Sequence, residues 1–266
     1  MTRYLDTQKV QRSHDVSKVA RRAERVLFSL LLCFALGAFV YGFYFLVFFS
    51  PFLQVHKIEV VGKFVNVNEA DVRATCPLKE GERLFLLSVN EIQDRISRLP
   101  WVRAVSVRRR LPDTLWISVE EYQPYALLAA DKLYLIDEQG IIFKSLAATD
   151  PKNLPVLSGM IAEEKDKLSV FNVQRGLLDQ GLQLLKQFEV SQLNAGNAVS
   201  EIHYDPLQGF SVLTKDRPMQ VVIGKNDFSA KIQRLDQFWQ ALPQSQRVRY
   251  LALISDDQII VKFAKL

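Results

Sequence analysis

The chain has little of what most small reaction centres are built from: 266 residues include two cysteines and three histidines. His14, His56 and His203 are widely separated, and with only Cys33 and Cys76 no cysteine-rich zinc centre can assemble. Cys33 lies inside a long apolar run, which leaves Cys76 as the one thiol after it. No disulfide can therefore form within residues 50–266, and Cys76, just before Pro77, reads as a small packed residue. A Gly-x-Ser-x-Gly elbow is lacking too. Gly176 and Gly181 have phosphate-loop spacing, but Leu182-Gln183 stand where Lys-Ser/Thr is required. The acidic pairs Glu120-Glu121, Glu163-Glu164 and Asp256-Asp257 fall where solvated strand ends and turns are expected. We therefore expect no enzyme activity, no cofactor, no metal and no small-molecule substrate.

Excess charge is also scarce over most of the chain. Of the net +5, residues 1–25 carry +4, from seven basic and three acidic residues. A basic face for nucleic acid is thus not expected. The next segment is apolar: Val26 to Phe49 holds 24 residues without a charge, and seven of the 17 phenylalanines. At about 1.5 Å per residue such a helix crosses a hydrocarbon core of about 30 Å. It is too long for a signal peptide, and Phe48-Phe49-Ser50-Pro51 offers no cleavage site. Arg3, Lys9, Arg12, Lys18, Arg21, Arg22 and Arg25 precede it, so the positive-inside rule predicts a single-pass protein of the cytoplasmic (inner) membrane. The tail would be cytoplasmic and residues 50–266 extracytoplasmic, periplasmic where there is an outer membrane.

The expected fold class is α+β: one N-terminal transmembrane helix, a β-α-α-β-β unit, then a strand-rich mixed α/β region. Val55 to Val61 reads as a strand, and Asn68 caps a short helix. Ser88-Val89-Asn90-Glu91 is a capping box opening a helix with Ile92, Ile96 and Leu99 on one face, ended by Pro100. Period-2 alternation (Val105, Val107; then Leu115, Ile117, Val119) predicts an antiparallel hairpin with Arg109 solvated at its end. After Pro124 a meander is expected near 125–143, then a polar connection through Leu154-Pro155 and Ser158-Gly159. A helix over 173–188, three strands, a helix near 228–242 and a closing hairpin, 250–254 with 259–263, complete the chain. The expected divisions are 1–25, 26–49, 50–123 and 124–266.

Leu99-Pro100-Trp101-Val102, the run Val105 to Leu115 (with Arg108-Arg109-Arg110-Leu111-Pro112-Asp113-Thr114), and Val119-Glu120-Glu121 together resemble the FtsQ/DivIB family of bacterial cell-division proteins. Ile58-Glu59-Val60-Val61-Gly62, Leu154 to Gly159 and Val222-Ile223-Gly224 recur in the family's order, so the resemblance covers essentially the whole chain. It implies a POTRA domain followed by the family's "beta" domain. It also implies a non-enzymatic divisome subunit at the division septum that binds FtsB- and FtsL-like division proteins and other divisome components. It would link early components to septal peptidoglycan synthesis. Many relatives carry Asp-Leu-Arg in the penultimate strand, where this chain has Ala252-Leu253-Ile254.

The last strand has little chain after it, so its edge is expected to accept a partner strand. Tyr250, Ile259, Ile260, Val261 and Phe263 are the candidate partner-binding residues. Arg108, Arg110, Pro112 and Asp113 form a second candidate, a recruitment surface on the POTRA hairpin. A rival reading is a POTRA-containing accessory protein of secretion or outer-membrane assembly.

Overall fold

Helix α1 (Tyr4–Phe49) carries the basic tail and the apolar run as one continuous element. Within it Glu24–Leu46, 23 residues of mean hydropathy 2.3 with no buried surface, is long and apolar enough to cross a membrane. The computed structural model describes residues 4–49, 53–76, 81–161, 173–195, 197–242, 247–255 and 258–264. The acidic pairs at 163–164 and 256–257 lie outside these residues.

By contacts the chain forms two units, Met1–Lys63 with Asn68–Ile96 and Val105–Val119, and Phe64–Val67 with Ser97–Ala104 and Glu120–Leu266. The first is built on β1 (Lys57–Val61), α2 (Glu69–Thr75), α3 (Val89–Ile96), β2 (Val102–Arg110) and β3 (Thr114–Glu121). The strands order β1-β3-β2, with β1 parallel to β3 and Val60 opposite Ile117. This is the expected β-α-α-β-β sequence. Asn68 caps α2 by accepting the Ala70 N–H at 3.1 Å. The capping box of α3 is only half built: Ser88 Oγ accepts the Glu91 N–H at 3.3 Å, while the Glu91 carboxylate takes Arg95 at 2.7 Å. An i,i+4 guanidinium competes for the carboxylate that a capping box would turn back. Helix α3 also ends at Ile96, short of Pro100.

Arg109 corrects the sequence expectation. It is not a solvated hairpin end; its Nε donates to the Leu84 carbonyl at 2.9 Å and its Nη2 to that of Leu87 at 2.6 Å. Glu121 is a second correction, being buried rather than solvated. Its carboxylate accepts the backbone N–H groups of Val65, Asn66 and Val67, each at 3.0 Å. Three convergent amides solvate the charge in place of water.

The second unit adds β4 (Ala126–Ala129), β5 (Leu133–Ile136), β6 (Ile142–Ser145), β7 (Val156–Ser158), α4 (Arg175–Glu189), β8 (Val199–Asp205), β9 (Gly209–Thr214), β10 (Gln220–Gly224), α5 (Phe228–Ala241), β11 (Val248–Ser255) and β12 (Gln258–Phe263). Among the described residues nine strands form one mixed sheet in the order β12-β11-β10-β9-β8-β7-β4-β5-β6. Residues 156–158, expected to be a polar connection, are instead an interior strand of this sheet. Strand β7 is parallel to both β4 and β8, joining the meander to the rest. Three residues carry no period-2 signal, and their partners lie far away in sequence. Leu178, Leu182, Leu185 and Phe188 of α4 and Ile232 and Leu235 of α5 share a core with Leu157, Ile202, Phe210, Val221 and Leu251. Apolar side chains at helical spacing thus bury one sheet face, which leaves the opposite face and the sheet's two edges to do other work.

Candidate functional site: the terminal strand edge

Strand β12 is an edge because of how the chain enters it. Helix α5 returns the chain from β10 to β11, which pairs parallel to β10, and β12 then lies antiparallel to β11 on the outside. Among the described residues no strand pairs with the other side of β12. Alternation sorts its side chains between two faces. Ile259 and Val261 pack toward the helix-covered core, whereas Ile260 lies in register with Ala252, and Lys262 with Tyr250, on the opposite face. Ile260 is 41% exposed and Phe263 47%.

The five partner-binding candidates therefore do not form a single surface. Tyr250 and Ile260 share the face opposite α4 and α5, Phe263 is exposed near the end of the strand, and Ile259 and Val261 serve the core. Lys262, absent from the sequence reading, belongs with the first pair: its Nζ stands 5.3 Å from the Tyr250 ring centroid. The period-2 spacing from Ile260 is the signal that finds it. Register extends this face inward through Val222, opposite Ala252, and Gln220, opposite Tyr250.

Backbone polarity is set by one bond. Ala264 donates its N–H to the Arg247 carbonyl at 2.7 Å, and the two register irregularities place their extra residue on β11. The alternation along β12 is thus unbroken. Lys262 and Ile260 aim their N–H groups at β11, and Ile259, Val261 and Phe263 aim theirs at the open side.

Three of the four hairpin candidates, Arg108, Arg110 and Asp113, make contacts within the first unit. Arg110 Nη1 reaches Glu59 at 3.2 Å, and the Asp113 carbonyl accepts the N–H groups of His56, at 3.0 Å, and Lys57, at 3.4 Å. Arg108 lies over the Trp116 ring, 5.8 Å from its centroid, and Pro112 is exposed at the hairpin tip. The Lys57 ammonium donating to Glu59, with Arg110 close by, holds the Glu59 carboxyl below the usual carboxylate range.

His203, far from the other two histidines in sequence, has polar neighbours of its own. Strands β7 and β8 bring it to Ser158, whose Oγ is 2.7 Å from His203 Nδ1 and also donates to Glu201. This is not a nucleophile triad. There the carboxylate holds the imidazole nitrogen remote from the serine, whereas here Glu201 acts on the serine hydroxyl, and its nearest approach to His203 is 3.9 Å at that same Nδ1. The three groups fasten adjacent strands. Cys76 is buried, as expected, and burial pushes its thiol above the ordinary range.

Comparison with known proteins identifies the two units of sequence. Residues 53–122 match the POTRA domain, FtsQ-type, and residues 126–254 match the Cell division protein FtsQ/DivIB, C-terminal model. The cell division protein FtsQ of Geotalea daltonii is 30% identical over 247 residues, 92% of this chain and 88% of that protein. The chain belongs to the FtsQ/DivIB family. The cell division protein FtsQ of Xanthomonas campestris pv. campestris is 29% identical over 188 residues, 71% of this chain and 60% of that protein. That of Corynebacterium glutamicum is 28% identical over 185 residues, 63% of this chain and 81% of that protein.

Membership in the FtsQ/DivIB family gives the resemblance motifs physical content here. Trp101 of the Leu-Pro-Trp-Val segment packs against Phe143 at 5.4 Å between ring centroids, and Tyr122 stacks on the same ring at 4.6 Å. The C-terminal match ends at Ile254, so β12 lies beyond it.

Proposed function

We propose that this division protein is a non-enzymatic, single-pass scaffold whose open β12 edge receives a strand from a partner division protein of the FtsB or FtsL kind. The tail, residues 1–25, lies in the cytoplasm, residues 26–49 cross the inner membrane, and a POTRA domain (50–123) and a C-terminal domain (124–266) stand outside it at the septum. The observation that carries the reading is the free side of β12, with the N–H groups of Ile259, Val261 and Phe263 aimed outward. A partner strand would satisfy them and set its side chains beside Tyr250, Ile260 and Lys262.

Photo-crosslinking tests it. A crosslinking residue at Ile260 is expected to capture division proteins, and one at Gln183, on the exposed face of α4, to capture none. Depletion is expected to give filamentous, undivided cells. Normal septation with defective envelope-protein assembly would instead favour the secretion or outer-membrane accessory reading, and crosslinks at Ile260 free of division proteins would overturn the edge proposal.

A further inference from the structure

Leu53 follows the end of α1, Phe49, by four residue steps, a distance of at most about 14 Å for extended chain. Leu53 is already tied to a loop of the POTRA unit. Its carbonyl accepts the Leu84 N–H at 3.0 Å, Val55 donates to the Glu82 carbonyl at 2.8 Å, and Gln54 bridges Arg83 in antiparallel fashion. The loop from Leu84 to Leu87 is therefore held close to the point where the chain leaves the membrane-crossing helix.

This loop carries two adjacent apolar side chains outward. Leu84 is fully buried, whereas Phe85 is 41% and Leu86 61% exposed. Arg109 fixes this presentation, because its guanidinium binds the carbonyls on both sides of the pair, those of Leu84 and Leu87. The Leu86 N–H closes a turn on the Arg83 carbonyl at 3.0 Å. Single exposed apolar residues are ordinary on protein surfaces. A rigidly clasped Phe-Leu pair beside a membrane exit is a different matter, since the interfacial zone of a bilayer extends about 5–8 Å beyond the hydrocarbon on each side. Apolar side chains in that zone leave water for the acyl boundary.

We propose that Phe85 and Leu86 dock into the surface of the bilayer that α1 crosses, so that the POTRA unit has a second, peripheral membrane contact. The partner is a phospholipid surface. Its bond to the protein is hydrophobic and not charge-specific, because neither apical side chain is ionic. The inference rests on the membrane-spanning reading of α1, and its test separates the two.

The full chain, with Cys33→Ala and Cys76→Ala, is reconstituted in phosphatidylcholine vesicles carrying nitroxide-labelled lipids, with one environment-sensitive fluorophore per variant. Labels are placed at Leu86→Cys, at Phe39→Cys inside the span, and at Leu207→Cys in the exposed β8–β9 turn. Position 86 is expected to be quenched by nitroxides near the headgroup about threefold or more above position 207, and position 39 by nitroxides deep in the acyl chains. Adding Arg109→Ala is expected to remove at least half of the quenching at 86, with the circular dichroism unchanged. Equal quenching at 86 and 207, with 39 still quenched, would overturn the docking proposal alone. Loss of quenching at 39 would overturn the membrane reading itself. A label at 86 that ignores lipid and responds only when other division proteins are added would assign the pair to a protein partner and likewise refute lipid docking.

Discussion

Glu121 shows how a single side chain can be misread from its neighbours and yet decide a loop. Beside Glu120 at the end of a strand it reads as solvated, and only the fold reveals that residues 65–67, more than fifty positions earlier, present their amides to it. No local pattern carries that information. Removing the carboxylate leaves the Val67 N–H buried without a partner and frees two more. Glu121→Ala is expected to cost about 2–3 kcal/mol in urea unfolding of residues 50–266. Glu121→Gln, which keeps an acceptor, should cost less; equal losses for the two would mean that packing and not the clasp is responsible. The motif glycines, by contrast, are legible once their backbone demands are known. Gly159 has φ +75°, and a Cβ there would lie 2.0 Å from the Tyr204 carbonyl oxygen. At Gly209, a Cβ would sit 2.4 Å from the Gly224 carbonyl carbon, so the Val-Ile-Gly segment ends where two backbones touch. Both are positions that glycine alone tolerates.

Long elements with a full period were readable: α4, α5 and the paired strands β8 to β12 fall within a few residues of their expected places, because their apolar spacing is set by the sheet face they cover. Strand β7 was not, since its identity comes from neighbours on both sides and not from its own three residues. Pairing of β12 with β11 was readable from the hairpin pattern, but its edge status comes from the strand order of the sheet. Which amides face outward needed the Ala264 to Arg247 bond. That bond yields a contrast within one strand. Val261→Pro removes an outward N–H and is expected to weaken capture of the partner about tenfold, equivalent to about 1.4 kcal/mol, with the ladder to β11 kept. Ile260→Pro removes an N–H aimed at β11 and is expected to lower the thermal midpoint as well. Should Val261→Pro bind its partner as tightly as the unaltered chain, strand addition is not the mode of association.

At the scale of the whole molecule the apolar run was the most legible feature, and it forms part of one helix that is long and apolar enough to cross a membrane. A charge-free run of 24 residues sets the length and polarity of that helix before any tertiary contact forms. Orientation rests on a different quantity, the seven basic residues on one side of that run, and it admits a direct check. Cys33 lies in the apolar run, and the Cys76 thiol is buried with its ionisation pushed upward, so the native cysteines are expected to form a quiet background even before they are replaced. A membrane-impermeant maleimide added to intact spheroplasts is expected to label Leu207→Cys, which is 91% exposed in the turn after β8. Ser17→Cys in the basic tail is expected to react only after lysis. The reverse pattern would place β12 in the cytosol, on the wrong side of the membrane for a partner working at septal peptidoglycan, and the strand-addition proposal would fall, whereas Phe85 and Leu86 would meet the other leaflet of the same bilayer.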